Sequence, residues 1–170
     1  MHRAGLRLRY DQAMLLIIWH SRTGASRAMA EAAFAAAGPG ARLLAAAEAE
    51  PADLLDAGGY LFVCPENLAS MSGAMKDMFD RCYYPLLGQI EGRAYASMIA
   101  AGSDGQGAQA QLDRIATGWR LRRVAEPLIA GMGAQSPQEI MAPKQVPPII
   151  LRRCAELGAA LSEGLALGIF

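Results

Sequence analysis

An α/β architecture, with a five-stranded parallel sheet and helices on both of its faces, is what this sequence predicts. Three observations carry that expectation. Short continuous apolar runs rich in strand formers recur along the chain, the mark of strands buried on both sides. Stretches of high helical propensity or with one apolar helical face lie between them. The crossovers are long enough to hold those helices, so strand and helix alternate throughout. At 170 residues the chain is the size of one domain. We assign it to 14–170, with 1–13 as a polar leader, extended or disordered.

The elements follow in order. Met14-Leu-Leu-Ile-Ile-Trp19 is the first strand, followed by the polar loop Ser21-Arg-Thr-Gly-Ala-Ser26. Arg27 to Ala37 is alanine-rich and helical, and Gly38-Pro39-Gly40 stops it. Ala41 to Ala47 is a second strand. Pro51 to Asp56 is a short helix with proline in its first turn. Gly59-Tyr-Leu-Phe-Val-Cys64 is the third strand, ended by Pro65. Gly73 to Tyr84 sets Met75, Met78, Phe79 and Cys82 on one helical face. Ala94 to Ala101 is the fourth strand, Ala108 to Thr117 a helix, and Arg123 to Ala130 the fifth strand. Residues 131–147 read as irregular. Pro148 opens a last helix, with Ile150, Cys154, Leu157, Leu161 and Leu165 along one side.

Composition removes several function classes. Apolar residues make up 53% and charged residues 19% of the chain, which is globular rather than disordered. Sixteen basic and sixteen acidic residues cancel, whereas binding a nucleic-acid backbone draws on a basic excess. Three cysteines (Cys64, Cys82, Cys154) without CxxC spacing indicate neither a disulfide framework nor zinc. With only His2 and His20 as imidazoles, no metal centre is expected. No apolar run approaches the ~20 residues of a membrane helix, and no cleavage site follows the first one. A cytoplasmic protein is expected.

Ligands of such sheets sit at the C-terminal ends of the strands, and the first loop is the strongest signal there. Ser21, Thr23 and Ser26 bring three hydroxyls, with Gly24 among them, between a buried strand and a helix start. First-turn amides of a helix lack intrahelical partners, and the helix dipole favours an anion beside them. Against anion binding stands a plain serine N-cap at Ser26. A Walker loop is excluded, since no Gly-Lys-Ser/Thr follows and the chain has only Lys76 and Lys144. Gly102, Gly105 and Gly107 reverse the dinucleotide fingerprint. Six residues beyond each cysteine stand Ser70, Gly88 and Ala160 rather than arginine, which excludes a Cys-x5-Arg phosphatase. The paired acids of a receiver domain are missing after the first strand. His20 and the three cysteines read as packing or hydrogen-bonding residues. Arg120, Arg122 and Arg123 read as a solvated basic cluster, or more boldly as a contact for a nicotinamide phosphate.

Trp19-His-Ser-Arg-Thr-Gly-Ala-Ser26 resembles the phosphate loop of flavodoxin-like FMN proteins. Cys64-Pro-Glu-Asn-Leu-Ala-Ser-Met-Ser-Gly-Ala-Met-Lys76, continued to Asp80-Arg81, is similar to the loop and helix beside the flavin ring in NAD(P)H-dependent FMN and quinone reductases. Gly92-Arg-Ala-Tyr-Ala-Ser and Ala101-Gly-Ser-Asp-Gly resemble the fourth strand and third flavin loop of that family. Two positions depart from the pattern. Ala25 replaces a polar residue, and Leu68 replaces an aromatic that covers the ring, which either weakens flavin binding or opens one ring face. Residues 131–147 match none of its motifs.

The resemblance implies a flavodoxin-like doubly wound sheet of order 2-1-3-4-5 and noncovalent FMN. It implies Ser21, Arg22, Thr23, Gly24, Ala25 and Ser26 around the phosphate, and Pro65, Glu66, Asn67 and Leu68 along the ring. Gly102, Ser103, Asp104 and Gly105 would close the other edge. The implied activity takes a hydride from NADH or NADPH and reduces a quinone, free flavin or similar small acceptor. The flavin carries the chemistry, so no catalytic side chain is named. Two alternatives stand beside it: a flavodoxin-type electron carrier docking with redox proteins, against which zero net charge counts, and an interaction module that has lost the flavin. The family also implies a dimer or tetramer, for which 131–147 and Leu165 to Phe170 are the expected contacts.

Overall fold

Strand–helix alternation builds the sheet in the computed structural model, which describes residues 13–170. All of the expected leader except Ala13 lies outside the described residues. β1 (Leu15–Trp19), β2 (Ala41–Ala45), β3 (Gly59–Asn67) and β5 (Ala94–Ala101) are parallel in the order β2-β1-β3-β5. β4 (Ser70–Met71) pairs antiparallel with the end of β3. The helices are α1 (Ala25–Ala37), α2 (Pro51–Asp56), α3 (Gly73–Leu86), α4 (Gln106–Gly118), α5 (Pro137–Met141) and α6 (Pro148–Ala166).

The far edge differs from expectation. The single strand over 123–130 is two short strands, β6 (Arg122–Arg123) and β7 (Leu128–Gly131), which pair with the beginning and the end of β5. Pro127 lies in the gap, and a proline has no N–H to give a ladder. The order 2-1-3-4-5 therefore holds, with its last place shared by two fragments. β3 also runs beyond the expected Cys64, because Glu66 and Asn67 leave the parallel ladder and turn into the β4 hairpin.

Side-chain alternation along the strands separates two cores. Leu16, Ile18, Tyr60, Phe62 and Ile99 face α2, α3 and α4, meeting Leu54, Met75, Phe79 and Leu112. Leu15, Ile17, Leu61, Val63 and Met98 face α1 and α6, meeting Met29, Ala33, Cys154 and Leu161. The alanines of α1 serve close approach: a Cβ on Gly158 of α6 would collide with the backbone of Ala33. All three cysteines are buried and free. Burial pushes the Cys64 thiol up to about 12 and the Cys154 thiol up to about 11, so neither is a thiolate at neutral pH.

The C-terminal segment, expected at a subunit contact, is exposed only in part. Leu165 is buried, and Phe170 folds back against Gly164. Leu167 and Ile169 remain in water. No helix among the described residues is long and apolar enough to cross a membrane.

Candidate functional site

A cavity of about 730 Å³ opens at the C-terminal ends of β1, β3 and β5, within the size range of small-ligand sites. Three loops expected to meet there do so. The first contributes Ser21, Arg22, Thr23, Ala25 and Ser26, the second Pro65, Glu66, Asn67 and Leu68, and the third Gly102 and Ser103. Gly24, Asp104 and Gly105 are not on the lining.

Gly24 and Gly105 shape the backbone beside the cavity. Each is the N-cap of a helix, α1 and α4 respectively, in left-handed backbone with φ of 98° and 85°, and neither helix start has a capping side-chain hydrogen bond of its own. Glycine takes that conformation without the penalty a Cβ brings. At α1 the alternative of a plain Ser26 cap does not hold, since the N-cap is Gly24. Ser26 sits inside the first turn, 1% exposed, and its hydroxyl has no hydrogen-bond partner. The Ser21 hydroxyl does turn inward, accepting from the Gly24 N–H at 3.0 Å. Arg22 is exposed and makes no ion pair among the described residues.

At α4 the vacancy is filled from within. The Glu66 carboxylate accepts from the N–H of Gly105 and of Ala108, both at 2.9 Å. A charge-assisted pair of this kind complements the helix dipole. It also ties the second loop to the third. Two further contacts reinforce that tie: the Met71 N–H donates to Gln111 Oε1 at 2.8 Å, and a Cβ on Gly107 would strike the Ala69 carbonyl. The hairpin tip between β3 and β4 is thus seated on α4. Its two turn residues, Leu68 and Ala69, have φ of 51° and 59°, where hairpins favour Asn-Gly. Holding non-glycine residues there costs about 1–3 kcal/mol each.

His20 leaves β1 beside the first loop, and its Nδ1 is hydrogen-bonded to the Ser72 hydroxyl at 2.8 Å. Burial and the neighbouring Arg22 lower its pKa below the ordinary histidine value. Its role is the expected hydrogen bond, and it is not on the cavity wall. The arginine cluster stands at the other end of the sheet. Arg122 and Arg123 pair with Ala94 and Tyr95 at the start of β5, about 20 Å from its cavity end at ~3.3 Å per residue. Arg123 meets Asp113 at 3.2 Å.

Sequence reading missed the fourth wall. Met132, Ala134, Ile140, Met141 and Lys144 line the cavity, all from the segment that matched no motif. This strap is stitched down at both ends: Ala134 N–H donates to the Gly102 carbonyl at 3.1 Å, and Lys144 N–H to the Thr23 carbonyl at 2.8 Å. Between the stitches α5 carries a capping box of Ser136 and Glu139. Two backbone N–H groups, of Ser136 and Gln135, hold the Glu139 carboxyl below its usual range. The Lys144 ammonium closes the other end of α5, donating to the carbonyls of Glu139, Ile140 and Ala142 at 2.6, 3.0 and 2.6 Å. Ser136-Pro137-Gln138-Glu139 was the available signal, a capping box with proline at the first helical position. Ala69, Ala100 and Ala101 complete the lining.

The residues present fit an FMN phosphate in chemistry. An uncapped helix start, a buried hydroxyl without a partner and an unpaired arginine converge at one end of the cavity, while its floor at Ala100 and Ala101 is apolar.

Known proteins share this fold. An archaeal flavodoxin superposes with a TM-score of 0.72 at 14% identity, covering 89% of this chain and 98% of its own. A WrbA-like flavodoxin from Agrobacterium tumefaciens gives 0.67 at 20% identity, with 90% and 97% covered. The flavodiiron protein of Giardia intestinalis gives 0.72 at 16% identity, with 95% of this chain matched to 38% of that one. At such identities the likeness establishes the flavodoxin-like fold. No curated protein matches the sequence. The profile of the family described as NADPH-dependent FMN reductase matches residues 45–131, from the end of β2 through β7 and so across two of the three cavity loops. On that match and this fold, the chain belongs to the NADPH-dependent FMN reductase family of FMN-binding oxidoreductases.

Proposed function

We propose that this protein is an NAD(P)H oxidoreductase that holds FMN in the cavity and reduces a quinone, a free flavin or a similar small acceptor. The observation that carries the reading is the buried Ser26 hydroxyl, unpartnered at the open start of α1 on the cavity wall. A buried polar group without a partner costs roughly 1–3 kcal/mol, and a ligand phosphate would satisfy it. Arg22 and Thr23 would complete the phosphate grip, together with the first-turn amides of Ala25 and Ser26. Pro65 to Leu68 would lie along the ring, and Gly102 and Ser103 would bound its other edge. Asp104, expected at that edge, is off the lining and has a supporting place at most.

When bound, FMN supplies the redox chemistry. The chain's own residues bind, orient and exclude water: the strap lies over the phosphate loop through Lys144 and Thr23, and Glu66 fixes the ring-side hairpin by way of α4. NADH or NADPH is the proposed donor. A cytoplasmic location fits three buried free thiols, and a dimer or tetramer remains part of the reading. Sedimentation of the purified protein measures that assembly.

Thr23→Asp tests the site. A carboxylate placed beside the phosphate should weaken FMN by about 100-fold, as a like charge at contact distance costs a few kcal/mol at a partly screened position. Fluorescence quenching of FMN titrated into apoprotein measures it, and unchanged affinity refutes the site. Turnover of NAD(P)H with menadione separates the enzyme from a carrier, which would show next to none.

A further inference from the structure

The mouth of the cavity carries three large apolar side chains in water. Leu68 is fully exposed, Ile140 is 54% exposed and Met141 72%, and all three line the same cavity. Scattered apolar residues are ordinary on a protein surface. These come instead from two segments far apart in sequence and line one cavity, and exposed apolar side chains gathered around a cavity mark a contact surface.

Both segments are fixed independently. The hairpin tip is held to α4 by Glu66 and Gln111, and the strap by its stitches to Gly102 and Thr23. The exposure of these side chains is therefore built in, and at Leu68 it is kept in left-handed backbone that disfavours leucine. The charged side chains neighbouring these residues in the two segments are engaged by backbone groups. The Lys144 ammonium donates to three carbonyls, and the Glu66 carboxylate is committed to the start of α4.

We propose that Leu68 on the hairpin and Ile140 and Met141 on the strap form a clamp that selects flat, uncharged, apolar electron acceptors, of which a naphthoquinone is the type. The inference rests on the reading of the cavity as the FMN site. Its occupant follows from the place of the clamp, which is continuous with that cavity and built from three uncharged apolar side chains. A second copy of the chain or a docking protein would call for a broader face. In the net reaction NAD(P)H gives up a hydride and becomes NAD(P)⁺. The quinone gains two electrons and two protons, one of them from water, and its two carbonyls become hydroxyls.

The test uses the FMN-loaded protein with two acceptors, menadione and the small charged ion ferricyanide. For the double variant Ile140→Ser/Met141→Ser, the ratio of menadione to ferricyanide kcat/KM should fall about tenfold, through KM for menadione, as buried apolar contact is lost. Leu68→Asn should lower the same ratio while raising the unfolding midpoint, because asparagine tolerates the left-handed turn better than leucine. Selectivity and stability then move in opposite directions, which a merely structural role for Leu68 does not produce. An unchanged ratio in both variants overturns the clamp. So does a wild-type dimer that the double variant converts to monomer in sedimentation, since the three side chains would then be a subunit contact. Wild-type protein that takes up no FMN sinks the underlying reading instead, and the flavin absorbance of each preparation keeps the two failures apart.

Discussion

Two helix starts in this molecule are built alike and end differently. α1 and α4 both follow a strand of the sheet, both begin at a glycine in left-handed backbone, and neither has a capping side-chain hydrogen bond from its N-cap residue. At α4 the chain supplies the anion itself, through the Glu66 carboxylate. At α1 it supplies none and leaves a buried hydroxyl without a partner. The same electrostatic device is thus closed internally where two loops must be fixed together. On the proposed reading it is left open where the FMN phosphate would be held, and the contrast between the two ends is what singles out α1 for that role.

Breaking the closed end gives the largest effect on stability. Glu66→Ala leaves two amides at the start of α4 without their carboxylate and frees the hairpin. A loss of about 2–3 kcal/mol in urea unfolding is expected, with Glu66→Gln intermediate because a neutral amide oxygen makes weaker bonds. Loosening the cover of the open end comes next. Lys144→Met removes three ammonium–carbonyl contacts from the strap, and FMN should dissociate about fivefold faster in stopped flow, near 1 kcal/mol of lost restraint. The smallest change is the most pointed. Ser26→Ala removes the orphaned hydroxyl, so the apoprotein should be as stable as wild type or up to about 1 kcal/mol more stable, while FMN binds several-fold more weakly. A less stable apoprotein would mean that the hydroxyl already has a partner inside the chain.

Much of this was legible in the sequence, for physical reasons that also mark where legibility stopped. The apolar runs at β1, β3 and β5 announce strands buried on both faces. Ser21, Thr23 and Ser26 mark the first loop as a candidate anion site because three hydroxyls and a glycine crowd one strand-to-helix turn, and the cavity does lie there. The hairpin at Leu68 and Ala69 was hidden, since its backbone asks for Asn-Gly and the chain offers neither. The partners of Glu66 lie 39 and 42 residues away, a pairing no local pattern reveals. The stretch 123–130 reads as one strand because its apolar residues conceal the break at Pro127. The strap escaped because its order comes from stitches to Gly102 and Thr23 and from one lysine gathering carbonyls, none of which has a periodicity. Its capping box was the single readable sign.

The central claim is that the open start of α1 grips a phosphate. Titrating the apoprotein with FMN and with riboflavin, which differ only in that group, tests it most directly. FMN should bind about 100-fold or more tightly than riboflavin, the worth of two or so charge-assisted hydrogen bonds. Equal affinities for the two would contradict the account.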